Sequence, residues 1–185
     1  MAWNHTQACD IFRTGTHKCS YRSMCEFMLG VAIFMASKEL LDMLNKGVAR
    51  EVQFSIQYMW QRLMVKGIEG AAVESIFRQM AIESAANAEA LGERLVYLAG
   101  VLPVTFDSIH VGHSLDDMLK ENIQNSEETI DLLKQAIQLA SKEGDFTTGR
   151  ILEDALAVKE KHLDRVSKLL VGMTKPFTQL KLDSE

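Results

Sequence analysis

From residue 37 onward, apolar side chains recur every three or four positions, the spacing that gathers them on one stripe of an α-helix. Four such runs stand out. The first covers 37–67, with Leu41, Leu44, Val48, Val52, Ser55 and Met59 on its inward stripe, Ser37 suited to the N-cap and Gly67 to the C-terminal stop. The second covers 71–99, between Gly70 and Gly100, with Val73, Phe77, Met80, Leu91, Leu95 and Leu98 facing inward. The third covers 115–143. Ser114 and Asp117 open it with the spacing of a capping box, Gly144 ends it, and Leu115, Leu119, Ile130, Leu133, Ile137 and Ala140 form its stripe. The fourth covers 148–171, ends at Gly172 and carries Leu152, Ala155, Val166 and Leu169. The spacing predicts an all-α chain. Short loops join antiparallel neighbours, whereas the long connection 101–113, holding Pro103, lets the chain cross to the far end. The expected order is a helical hairpin, a crossover between helices 2 and 3, and a second hairpin.

Each stripe is interrupted at mid-height by something polar: Glu51 in the first helix, Ser84 and Asn87 in the second, Ser126 in the third, Lys159 and His162 in the fourth. An ammonium and an imidazole three residues apart on a core-facing stripe need partners, because an unpaired buried polar group is costly. One polar cluster in the middle of a bundle is where such folds build metal sites, and an intact di-iron site uses about four carboxylates and two histidines. These stripes supply one carboxylate, Glu51, and one histidine, His162. The surface glutamates Glu83, Glu127, Glu128 and Glu160 sit one position from stripe residues and would reach the centre only if their helices rotated by about 100° per residue of shift. His162 also reads as a satisfied core histidine, and Ser84, Asn87 and Ser126 as ordinary tolerance in a loose core. The many methionines read as gap-filling core.

The stretch Leu44-Asn-Lys-Gly-Val-Ala-Arg-Glu51-Val-Gln-Phe-Ser-Ile-Gln57-Tyr58 resembles the first-helix motif of the bacterioferritin and Dps-like branch of the ferritin-like superfamily. Ala88-Glu-Ala-Leu-Gly-Glu-Arg-Leu-Val-Tyr-Leu-Ala-Gly100, Leu115-Asp-Asp-Met-Leu, Ala140-Ser-Lys-Glu-Gly-Asp-Phe and Glu160-Lys-His162-Leu-Asp continue the likeness in order, over residues 38–170. The resemblance implies a ferritin-like four-helix bundle that assembles into a hollow oligomer and serves iron storage or iron homeostasis in the cytoplasm. It implies that Glu51 and His162 match iron ligands, while Ser84, Asn87, Ser126 and Lys159 stand where the family has the other four. A haem-ligating methionine would fall on Ala85, so haem is not expected. Two iron ions need anionic ligands. With three carboxylates replaced by two hydroxyls and an ammonium, iron remains possible but an intact di-iron centre is not expected. The expectation is an ion pair of Lys159 with Glu51 in place of the metal, in a non-catalytic cage subunit. Such a subunit would be a homo-oligomer or would co-assemble with an active ferritin-like paralogue. Two alternatives stay open: a metal-free structural or partner-binding bundle, and a ferroxidase or single-metal enzyme using Glu51 and His162.

Composition changes this picture little. A net charge of −5 argues against a general nucleic-acid binder, and no apolar run reaches the length of a transmembrane helix. Residues 1–34 differ from the rest: they hold all three cysteines (Cys9, Cys19, Cys25), two histidines and little periodicity. Three readings compete. They form a disordered or non-native extension, with Met35-Ala-Ser-Lys a natural bacterial start. They form a signal peptide, which Glu26 interrupts, or a Cys/His metal-binding arm. Residues 173–185 read as a short polar tail.

Overall fold

The computed structural model describes residues 36–174 apart from Asp107, so the readings made for residues 1–34 and for most of the tail lie outside the described residues. Among the described residues the fold is four helices: α1 (Lys38–Met64), α2 (Gly67–Tyr97), α3 (Leu115–Glu143) and α4 (Phe146–Thr174). Their ends follow local chemistry. Ser37 caps α1 by accepting from the Leu40 amide, and Ser114 with Asp117 forms a reciprocal capping box on α3. Gly144 ends α3 in the left-handed conformation, with φ 73°.

Several expected boundaries move. α2 begins at Gly67 rather than after Gly70, because α1 stops at Met64 and Gly67, at φ +74°, turns the chain at once. Gly70 then sits in the first turn of α2, where a Cβ would lie 2.8 Å from the Val65 carbonyl carbon. α4 starts at Phe146, capped by Asp145, and runs through Gly172 to Thr174. At the end of α2, Ala99 adopts φ 62° so that the Gly100 amide can reach the Leu95 carbonyl. A left-handed alanine costs roughly 1–2 kcal/mol. Ala99→Gly is therefore expected to raise thermal stability by about 0.5–1 kcal/mol after the extra entropy of an unfolded glycine is set against the gain. A melting curve shifted downward would contradict this.

Around the bundle, α1 packs beside α2 and α3, and α4 beside α2 and α3, leaving α1 diagonal to α4. The Ser37 amide donates to the Glu143 carboxylate at 3.0 Å, tying the start of α1 to the end of α3. Arg94 near the end of α2 pairs with Asp145 at the start of α4 at 2.7 Å. Both cross-pairs are therefore antiparallel, and residues 98–114 must run the length of the bundle. They do so along α1, held by its amides: Asn45 donates to the Val101 carbonyl, Gln53 to that of Ser108 (2.9 Å) and Gln61 to that of Val111 (3.4 Å), while the His110 amide donates to Gln57 Oε1 (3.3 Å). Inside this ladder Gln57 donates to Asn122 and Asn122 to Gln61, each at 2.8 Å.

The core is two apolar blocks. One is built on Leu40, Leu44, Leu95, Leu133 and Leu152; the other on Phe54, Phe77, Met80, Leu119 and Val166. On every helix the residues between the blocks are polar and buried: Glu51, Ser84, Ser126 with Thr129, and Lys159 with His162. The stripes expected for α2, α3 and α4 are inside or partly inside. On α1 the expected stripe drifts: Met59 is 45% exposed and Ser55 only partly covered, while Phe54, Gln57 and Tyr58 take the buried positions. Trp60 and Met64 are also exposed, so the methionines divide between core (Met80, Met118) and surface.

Candidate functional site

The middle layer of the bundle is arranged around the Lys159 ammonium. Val166 and Ala155, one block on each side, fix α4 against its neighbours and leave Lys159 no route to solvent. Its Nζ donates to Glu51 Oε2 at 2.9 Å and to Ser84 Oγ at 3.4 Å, and stands 3.7 Å from the centre of the Phe54 ring. Glu51 and Lys159 are both fully buried. A carboxylate, a hydroxyl and an aromatic face thus take up the three directions of the ammonium. Burial pulls the lysine pKa down, and the Glu51 carboxylate pulls it partly back.

His162 lies three residues further along α4. Its Nε2 is 2.7 Å from Glu83 Oε2, and its ring meets the Tyr58 ring edge-on with centroids 5.8 Å apart. Burial, helped by the Lys159 charge, pulls the imidazole down to about 4 against the opposing effect of Glu83. His162 is therefore neutral near pH 7. The carboxylate on Nε2 places its proton there and leaves a lone pair on Nδ1. Partial burial pushes Glu83 up, but hydrogen bonds from Lys161, His162 and Gln79 outweigh it and bring the carboxyl down to about 2. Tyr58 is stacked on Phe54 and Phe77; burial pushes its phenol far above the usual range, with Ser126 and Glu51 beside it.

Of the residues singled out in the sequence, Glu51, Ser84, Ser126, Lys159 and His162 are fully buried in this layer. Asn87 is only half-buried, although its Nδ2 is enclosed without a partner. The Lys159–Glu51 pair forms as expected. Glu83 was expected at the surface, reachable only through helix rotation. It is instead 17% exposed and meets His162 with no rotation, because a glutamate beside the buried Ser84 is long enough to reach along the α2–α4 seam. Tyr58, at the edge of the stripe in sequence, is fully buried. The amides Gln53, Gln57, Gln61 and Asn122 escaped notice. The spacing of four between Gln53, Gln57 and Gln61 on α1 was the available signal, hidden because amides read as solvent-facing.

Among the described residues, no group of three or more His, Cys, Asp and Glu side chains is gathered closely enough to hold a metal ion. No helix among them is long and apolar enough to cross a membrane. A groove of about 750 Å³, lined by Val48, Val52, Gly92, Val96, Leu102 and Phe106, lies on the outside of α1 and α2 and does not open onto the Lys159 layer.

The arrangement of four helices with a long crossover and a polar mid-layer has counterparts. The chain is 28% identical over 144 residues to a bacterioferritin of Mycolicibacterium paratuberculosis, covering 77% of this chain and 90% of that one. It is 24% identical over 127 residues to a bacterioferritin of Desulfovibrio desulfuricans, covering 68% and 70%. A crystal structure of ferritin-like, diiron-carboxylate proteins from Bacillus anthracis str. Ames superimposes with a TM-score of 0.70 at 24% identity, covering 72% of this chain and 96% of that one, which speaks for the fold. The family model of the ferritin-like domain matches residues 41–175, nearly three-quarters of the sequence, and the chain belongs to the ferritin-like family.

Proposed function

We propose that the protein is a cytoplasmic shell-forming subunit of the iron-storage type that has no oxidation centre of its own, the Lys159 ammonium standing where such a centre would hold metal. The observation that carries this reading is the fully buried Lys159–Glu51 pair. The donor set does not fit two metal ions. The one central carboxylate is already neutralised by an ammonium at 2.9 Å, and the hydroxyls of Ser84 and Ser126 bring no charge. The positions where the resemblance implies the other ligands, Ser84, Asn87, Ser126 and Lys159, supply no negative charge here, so no oxidation step is assigned to this chain. Kinship with bacterioferritins supports assembly into a hollow oligomer, alone or mixed with a paralogue that carries the full ligand set. The apolar groove on α1 and α2 supports burial of that side against a neighbour.

A second reading, one metal ion on Glu51 and His162, is favoured by a single feature. A carboxylate on the far nitrogen of a histidine is how proteins orient a metal-ligating imidazole, and Glu83 is so placed. The ammonium already paired with Glu51 opposes it.

The test is aerobic addition of ferrous iron to purified protein with metal analysis of the same sample. The expected outcome is oxidation at the rate of a protein-free control and no tightly bound iron. Saturable oxidation well above control with a pair of irons per chain would overturn the proposal. One tightly bound metal per chain would select the second reading.

A further inference from the structure

Four polar atoms in the middle layer have no protein partner although their residues are fully buried: Glu51 Oε1, Tyr58 OH, Ser126 Oγ and His162 Nδ1. They belong to one neighbourhood. The Tyr58 and Ser126 hydroxyls face one another without a well-formed bond, Glu51 lies beside them, and the Tyr58 ring meets that of His162. Buried polar atoms without a partner are rare in folded proteins, and each calls for a physical reason.

The four atoms differ in what they need. The Tyr58 and Ser126 hydroxyls have protons to donate. Glu51 Oε1 accepts, since its sister oxygen is the one paired with Lys159. His162 Nδ1 accepts, because Glu83 holds the ring proton on Nε2. The facing hydroxyls keep at least one proton to place, against two acceptors. A cation could use the acceptors and the hydroxyl lone pairs, but it would stand beside the Lys159 charge and leave the hydroxyl protons without an acceptor. An anion could use only the donors and would face a carboxylate oxygen and an imidazole lone pair. A neutral molecule that accepts about two hydrogen bonds and donates two answers all four, and water is that molecule.

We propose that the polar layer holds internal water, one molecule or a hydrogen-bonded pair, which accepts from the Tyr58–Ser126 hydroxyl pair and donates to Glu51 Oε1 and His162 Nδ1. The water and the ammonium together then fill the space between the carboxylate and the imidazole. This goes beyond the shell-subunit reading and does not depend on it. The same donor–acceptor balance gives the layer a reason to prefer a neutral ligand to a metal ion.

A high-resolution crystal structure of the full chain tests it directly, with anomalous data collected at the iron and zinc edges. The expected result is a spherical, non-anomalous density peak within hydrogen-bond reach of most of the four atoms. A dry layer, in which these atoms have no neighbour or turn to protein partners, overturns the water and leaves the ammonium reading standing. An anomalous peak at the same place overturns both. Solution data give a second check. Tyr58→Phe and Ser126→Ala each remove a hydroxyl that the water would satisfy, and each is expected to raise the unfolding equilibrium constant about five-fold. A constant that is unchanged or lower would mean that the hydroxyl was unpaired in the native protein, and would overturn the proposal.

Discussion

Replacing Lys159 by methionine is expected to destabilise the bundle by about 3–5 kcal/mol, a large part of the stability of a domain this size. The side chain keeps its volume and loses its charge, so the effect isolates the ion pair from the packing. What remains is the Glu51 carboxylate, fully buried, with the ammonium that paired with it gone and apolar blocks on both sides. The double variant Glu51→Leu/Lys159→Met is expected to recover most of the loss or to exceed the parent, because replacing both members of a buried pair by well-packed apolar groups is often neutral or stabilising. Urea unfolding of the two single variants and the double variant closes the cycle. If Lys159→Met unfolded at the parent's midpoint, the pair would carry no structural weight, and the view of the ammonium as the centre of the layer would fall with it.

Acid is expected to weaken the protein in two steps. His162 resists protonation in the folded state, down to about 4, whereas an unfolded histidine takes its proton near 6.5. Between those values the unfolded chain binds the proton that the folded chain refuses, so stability falls as pH drops through that window. The full displacement corresponds to at most about 3–4 kcal/mol. Glu83 adds a second loss lower down. Its carboxyl is depressed to about 2, so the stabilisation from its partners is complete above the ordinary value of 4.5 and fades as pH falls toward 2. His162→Gln keeps a donor for Glu83 and removes the titrating ring. It should flatten the dependence of the urea midpoint on pH between 6.5 and 4. An unchanged slope in the variant would place the acid sensitivity elsewhere.

The fold was legible because its physics is local. Period, caps and loop lengths follow from neighbouring residues, and Ser37, Ser114, Asp117 and Gly144 behave as their chemistry dictates. The polar layer was legible for the opposite reason. Lys159 and Glu51 fall on apolar stripes where they do not belong, and only a partner on another helix makes them tolerable. Illegible were the residues whose burial depends on a second covering. The stripe of α1 drifted because the crossover lies on this helix and encloses its amide ladder, giving Gln53, Gln57 and Gln61 an interior that periodicity assigns to solvent. Glu83 was misread because position along a helix gives the direction of a Cβ, not the reach of a long side chain. Gly70 was read as a terminus when its role is clearance: the backbone of Val65 passes too close for any other residue.

The division of the core into two apolar blocks bears on alignment along the bundle axis. Long helices faced with leucine and alanine can mesh at several staggers, one turn or about 5.4 Å apart, with little to choose between them. The charged layer removes that freedom. If α4 slid by one turn against α1, Glu51 would face Ala155 or Leu163 instead of Lys159, and both charges would enter apolar surroundings unpaired. The pair therefore acts as an indexing pin. It adds little net attraction, but it makes every misaligned packing of the same four helices expensive and leaves one register for the chain to find.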